Sequence, residues 1–250
     1  MNWLFLRGLL REQRHWQSLP QVFEQTVTGA KVYCLDMPGI GTEKHRPSPR
    51  SIAEIVEDLR ARWLDLKAAH PGEWSIYSVS LGSMCGLLWC QTYPDDFKRL
   101  VVTGTSISNL SPFHHRFRLE HAPLIPRMFI NPVDAVREKA ILQATVSNRT
   151  PIDALAQEYS LFSLDLPTFR RTGLSQLYAG SRLKLKPGLK TPLLVLNSHG
   201  DKLVNPACSE RVAAFFQAPL VSHPWSGHDL PLEDPAWVGT QVQHWVESTS

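Results

Sequence analysis

Three side chains stand out for what they could do together: the hydroxyl of Ser80, the carboxylate of Asp201 and the imidazole of His228. Ser80 lies in Ser78-Val79-Ser80-Leu81-Gly82, between an apolar run, Trp74 to Val79, that reads as a strand and a stretch, Leu81 to Tyr93, that reads as a helix stopped by Pro94. Asp201 follows Leu193 to Asn197, a short apolar run that suits a buried parallel strand. His228 comes 27 residues later in Ser226-Gly227-His228-Asp229-Leu230-Pro231, after the strand-like Leu220 to Trp225. A serine hydroxyl is a weak nucleophile at neutral pH; it becomes useful when an imidazole takes its proton and a carboxylate holds that imidazole in the right tautomer. Each residue also has a purely structural reading: a buried hydroxyl at a tight turn, a turn or helix-capping carboxylate, and a solvated loop histidine.

A strand, S-x-S-x-G and a helix in succession resemble the nucleophile elbow of the α/β-hydrolases, in which a sharp turn lifts the serine clear of the sheet. The chain order is similar too: serine, then an acid after a late strand, then a histidine near the C-terminus. Ser198-His199-Gly200-Asp201-Lys202-Leu203-Val204 resembles the family's G-x-D-x-x-V loop, and Gly227-His228 its G-H loop, with Asp234-Pro235 and the helical spacing of Val238, Val242, Trp245 and Val246 behind it. This resemblance implies Ser80 as nucleophile, His228 as general base, Asp201 as orienting acid, and the backbone N–H groups of Leu9 and Leu81 as an oxyanion hole. Two departures are visible. Ser78 replaces the usual first glycine of the elbow, and Arg7-Gly8 stands where the family has His-Gly. Leu9 would donate through its backbone, so the second change leaves that expectation intact; Arg7 is read first as holding a neighbouring loop and second as reaching an acidic group on a substrate. Arg11 to Trp16 is similar to the loop and helix start that follow, where an aromatic packs under the site. Asp36-Met37-Pro38-Gly39-Ile40-Gly41 resembles the D-x-P-G-x-G turn; it lacks the third glycine and the lysine of phosphate-binding loops, and Pro47 and Pro49 make it a rigid loop.

The elements that must position these residues alternate along the chain. With 250 residues, the protein can bury the core of one α/β domain with a mostly parallel sheet. About six strands are expected, at Leu4, Val32, Ile76, Val101, Val195 and Val221, with helices on their flanks. Ser51 to Ala69 carries Ile52, Ile55, Val56, Leu59, Trp63 and Leu66 at helical spacing, with Ser51 placed to cap it. Prolines at 112, 123, 126, 132, 151, 167 and 187 then punctuate short helical stretches, clearest at Asp134 to Val146, Ile152 to Leu161 and Leu166 to Leu177. The resemblance implies an α/β-hydrolase core at 1–106 and 191–250 and a helical cap at 107–190. Phe113, Phe117, Met128, Phe129, Phe162, Phe169, Leu174 and Tyr178 are read first as packing that cap onto the core and second as lining an acyl pocket.

Net charge is +3, too slight to argue for nucleic acid. Arg182, Lys184, Lys186 and Lys190 are read first as a solvated face and second as a patch steering an anionic substrate or an acidic acyl carrier. No metal-ligand spacing such as HExxH or CxxC occurs, so no metal or cofactor is expected. Cys34, Cys85, Cys90 and Cys208 lie in apolar contexts that suit buried thiols of a reducing, cytoplasmic compartment; no signal-like start or membrane-spanning apolar run is present. The resemblance as a whole implies a cofactor-free serine hydrolase, similar to the pimeloyl-carrier methyl ester esterases and related small carboxylesterases, acting on esters of small or medium acyl groups. A serine at the elbow argues against the dehalogenases and epoxide hydrolases of the fold. Thioesterase, aminopeptidase, carbon–carbon hydrolase and lyase activities use the same three residues and stay open, as does a non-catalytic binding protein; the oligomeric state is open as well.

Overall fold

The computed structural model describes residues 1–118, 135–164 and 169–249. Six parallel strands form one sheet in the order β2-β1-β3-β4-β5-β6: β1 Asn2–Leu6, β2 Lys31–Cys34, β3 Trp74–Val79, β4 Leu100–Thr103, β5 Leu193–Ser198 and β6 Leu220–His223. All six strands fall where the apolar runs predict them, although β6 stops at His223, short of Trp225. Helices cover both faces, so the central strands read as continuous apolar runs. In β1, Leu4 and Leu6 join the core beneath α2 (Ile52–Ala69) and α3 (Leu81–Thr92), alongside Trp63, Trp74 and Trp89. Trp3 and Phe5 point the other way, toward α1 (Leu19–Thr26) and, near the C-terminus, the helix Pro235–Ser248. There the Phe5 ring lies 5.0 Å from each of Trp16, Phe23 and Tyr77.

Helix α2 buries Ile52, Ile55, Val56, Leu59 and Trp63 as its spacing predicts. Ser51 occupies the N-cap position without a side-chain capping bond; only its carbonyl engages, accepting the Ile55 N–H at 3.1 Å. The short α4 (Phe113–Arg116) follows β4. Between β4 and β5 lie α5 (Ala135–Thr145), α6 (Asp153–Leu164) and α7 (Phe169–Arg182); α5 packs on α6, and α7 reaches back to α2 and α3. The expected starts at Asp134 and Leu166, together with Met128 and Phe129, lie outside the described residues. Helices α8 (Ala207–Phe216), α9 (Leu230–Glu233) and α10 (Pro235–Ser248) complete the chain. Among the described residues, no helix is long and apolar enough to cross a membrane.

Strand order reverses beside β1: the chain leaves it for β2 on one side and returns to β3 on the other. In open α/β sheets such a switch point opens a crevice at the strands' carboxyl ends. The register aligns those ends, with Leu6 opposite Ser78, Val79 opposite Thr103 and Thr103 opposite Leu196. The segments after β1, β3, β4 and β5 therefore emerge side by side.

At this edge backbone meets backbone. A side chain at Gly82 would overlap the carbonyl oxygens of Leu6 and Arg7, so the first turn of α3 can lie against the end of β1 only because residue 82 is glycine. Gly82→Ala is expected to cost about 3 kcal/mol, the upper end for an overpacked site whose obstacle is backbone. For a domain of this size that is a fall of several degrees in melting temperature, readable by calorimetry; an unchanged melting temperature would refute the close-approach argument.

Candidate active site

Ser80 sits between β3 and α3 with φ of 55° and ψ of −114°. Non-glycine residues avoid this region, which persists only where the surroundings impose it. Here the Ser80 N–H donates to the Thr103 carbonyl at 2.8 Å and its carbonyl accepts from Thr105 Oγ1 at 3.2 Å. Ser78, in place of a glycine, is accommodated by the sheet: its buried hydroxyl donates to the Val101 carbonyl at 3.1 Å. Ser83, one turn into α3, donates to the Ser78 carbonyl at 2.7 Å and accepts the Thr103 N–H at 3.2 Å. The elbow is thus stitched to both β3 and β4.

Asp201 combines the structural and the chemical reading of a loop carboxylate. Its Oδ1 accepts the N–H groups of Leu203 and Val204 at 2.9 and 2.8 Å, shaping the turn, while Oδ2 lies 2.7 Å from His228 Nδ1. Gly200 lets the two loops approach, since a side chain there would run into the carbonyls of Trp225 and Ser226. Both Asp201 and His228 are buried. Burial disfavours the imidazolium, but Asp201, helped by the charge of Asp229, outweighs it, and the His228 pKa lies above the ordinary 6.5.

His228 and Ser80 line one cavity of about 620 Å³ with Leu81, Met84, Phe117 and Val204. No hydrogen bond joins Ser80 Oγ to the imidazole in this conformation. The amides of Leu9 and Leu81, which also border the cavity, have no acceptor among the described residues. Of the apolar residues named from the sequence, Phe113, Phe117, Leu174 and Tyr178 line this space. Phe162 does not; it meets His15 edge to face and lies under Arg14, because α6 faces the segment after β1. The Phe169 side chain lies outside the description. Among the described residues, no cluster of His, Cys, Asp or Glu could hold a metal ion.

Arg7 takes the first of its two expected roles, holding a neighbouring loop, through a partner the sequence does not indicate. Its guanidinium forms a two-pronged ion pair with Asp229, Nη1 to Oδ1 at 2.8 Å and Nη2 to Oδ2 at 2.9 Å. Nη2 also donates to the His15 carbonyl at 2.8 Å, and the cation lies 4.7 Å from the Trp16 ring centroid. Both groups are buried. Burial opposes both charges, yet each holds the other ionised: Asp229 is shifted down and Arg7 up. The pair thereby fixes the residue next to His228 to the end of β1. Glu233 fastens the other side of the loop, accepting from Ser226 Oγ at 2.9 Å and from the Gly227 N–H, and reaching Ser147 and Thr150 beyond α5. Sequence reasoning gave neither Asp229 nor Glu233 a role; the one available signal was that an arginine at the end of an apolar strand needs a carboxylate somewhere.

Removing one member of a buried ion pair strands the other charge, typically costing about 3–5 kcal/mol. Arg7→Met should show that loss in urea denaturation, and Arg7→Met/Asp229→Leu should lose less than Arg7→Met alone; strictly additive losses would refute the coupling. The histidines provide a second check. His15 is held well below 6.5, mainly by burial and then by Arg11 and Arg7, whereas His228 is shifted above it. Between 6.5 and its raised folded value, native His228 binds a proton that the unfolded chain does not, so its contribution to stability is lost as pH rises through that window. For His15 the unfolded chain binds the extra proton, and stability falls as pH drops below about 6.5. Imidazole NMR titration should find the two on opposite sides of 6.5; co-titration would refute this assignment.

The sequence matches the family model described as serine aminopeptidase, S33, over residues 14–223. No curated protein matches significantly. Among solved structures, the chain is similar to a Mycobacterium tuberculosis H37Rv protein assigned as the non-heme bromoperoxidase BpoC, with 18% identity, 100% of this chain and 92% of that one covered, and a TM-score of 0.77. It is also similar to an Acinetobacter baumannii AYE protein assigned as a lipase, at 19% identity, 99% and 83% coverage and a TM-score of 0.76. A thermophilic esterase from Thermogutta terrifontis gives 17% identity, 99% and 90% coverage and a TM-score of 0.74. At these identities the likeness is one of fold, and the family match carries the assignment: the chain belongs to the serine aminopeptidase S33 family of α/β-hydrolases.

Proposed function

We propose that the protein cleaves carboxylic esters of small or medium acyl groups by a serine mechanism, with residues 107–190 as a cap over the site. The observation that carries this reading is the shared cavity: Ser80, at its left-handed elbow, and His228, tied through Nδ1 to Asp201, border one largely apolar hollow. His228 Nε2 takes the proton of Ser80 Oγ as that oxygen attacks the ester carbonyl carbon. The oxyanion that forms accepts the N–H groups of Leu9 and Leu81, and loss of one such donor commonly costs about 10²–10³ in turnover. His228 returns the proton to the departing alkoxide, leaving an acyl-serine. Water, activated by the same imidazole, then releases the acid and regenerates the hydroxyl. Asp201 stays ionised throughout and stabilises the transient imidazolium.

Charge argues for an ester over a peptide with a free amino terminus. Recognition of an α-ammonium calls for an unengaged carboxylate in the cavity. Among the described residues lining it, Asp229 is the one carboxylate, and both its oxygens are occupied by Arg7. Arg50 and Arg116 also border the space, which further disfavours a cationic group there.

Hydrolysis of p-nitrophenyl esters from acetate to decanoate tests the reading. Turnover should peak at a short or medium chain, vanish in Ser80→Ala, and fall about 10⁴-fold in Asp201→Asn, where the imidazole loses its orienting partner. A folded protein that turns over none of these esters and takes up no fluorophosphonate at Ser80 would overturn it.

A further inference from the structure

The segment after β1 holds an unusual turn. Arg11 N–H closes it on the Gly8 carbonyl at 3.2 Å, and Leu10, its third residue, has φ of 55°. Turns normally place glycine or asparagine at such a position, because a side chain with Cβ is strained there. Leu10 is buried, and something must hold it. Its amide points across to α7, where Gln176 Oε1 accepts it at 3.0 Å. Gln176 is 0% exposed and borders the same cavity as Ser80 and His228. The bond to Leu10 identifies the oxygen end of the carboxamide. The other end, Nε2, is buried and has no acceptor among the described residues. A glutamine serving packing alone would be expected to satisfy both ends, since an unpaired buried N–H is costly.

We infer that Gln176 is a positioning residue: from the cap it clamps the strained Leu10 amide, so that the preceding Leu9 amide is aimed at the acyl oxygen only when α7 is seated on the core. Seating of the cap and assembly of the oxyanion hole are then one event. The near end of the turn continues directly from β1 through Arg7 and Gly8, and Gln176 holds its far end. The inference rests on the serine-esterase reading for its catalytic consequence, while the clamp itself stands apart from that reading.

Two variants separate these layers. Gln176→Met keeps the length of the side chain and removes the acceptor. It should expose the Leu10 amide to faster hydrogen exchange and lower kcat on p-nitrophenyl butyrate about 10²-fold, as misplacement of a catalytic donor by about 1 Å does. KM should change less than about threefold. The rate of fluorophosphonate labelling at Ser80 should fall in parallel, because that reaction also loads the oxyanion hole. Gln176→Glu retains an acceptor and should restore both Leu10 protection and most of the turnover. The proposal is overturned if Gln176→Met leaves Leu10 exchange or kcat unchanged, or if kcat and KM worsen only together with a large drop in melting temperature. It is equally overturned if Gln176→Glu restores Leu10 protection while turnover stays at the Gln176→Met level, which would assign the effect to direct donation by Nε2. A wild-type protein inert toward esters and fluorophosphonate would sink the esterase reading instead, and Leu10 exchange would still report whether the clamp exists.

Discussion

The buried ion pair of Arg7 and Asp229 is the constraint on which the arrangement of the site depends. Residues 222 apart in sequence are brought into a two-pronged contact at 2.8 and 2.9 Å, joining the end of the strand β1 to the loop that carries His228. Desolvating two charges is expensive, and only good geometry with further hydrogen bonds compensates for it. Here the geometry is bidentate, the His15 carbonyl takes an additional guanidinium hydrogen, and the Trp16 ring lies under the cation. Such a pair adds little net stability over apolar residues of similar volume, yet it tolerates little displacement. That intolerance makes it suited to setting where His228 stands relative to the strand ends.

The same economy recurs in the neighbouring carboxylates. Asp201 uses one oxygen to shape its own turn and the other to orient His228, so the loop cannot deform without disturbing the imidazole. Asp36, in the turn after β2, accepts the N–H groups of Gln13 and Thr42 at 2.8 and 2.9 Å and thereby holds the segment after β1. Burial pushes its pKa up, and those same bonds oppose the shift. Glu138 of α5 pairs with Arg11 and Arg137; burial works against its charge, but the two arginines hold it down at about 2. Loops at the carboxyl edge of the sheet are therefore braced by charge and hydrogen bonds, whereas the sheet beneath is held by apolar packing.

Much of this was legible in one sequence. The six strands announce themselves as short apolar runs because both faces of a parallel sheet are covered. Helix α2 does so through the period of Ile52, Ile55, Val56, Leu59 and Trp63. Glycine at 82 and the run of turn residues around Asp201 and His228 mark where chain elements end, and those ends are where an α/β sheet collects its chemistry. Local pattern was weaker between β4 and β5, where it did not separate Phe117, which lines the cavity, from Phe162, which packs against His15 and Arg14.

By itself, then, the sequence determined the order and type of the elements and which residues stand at their ends, since these depend on hydrophobic period and on the backbone demands of glycine and proline. Only the tertiary structure decided that Arg7 meets Asp229, that Glu233 secures the loop before His228, and that Gln176 reaches Leu10. These are contacts between polar side chains far apart in sequence. Their partners are selected by the desolvation cost of leaving a buried donor or charge alone, and that cost arises only once the chain has packed.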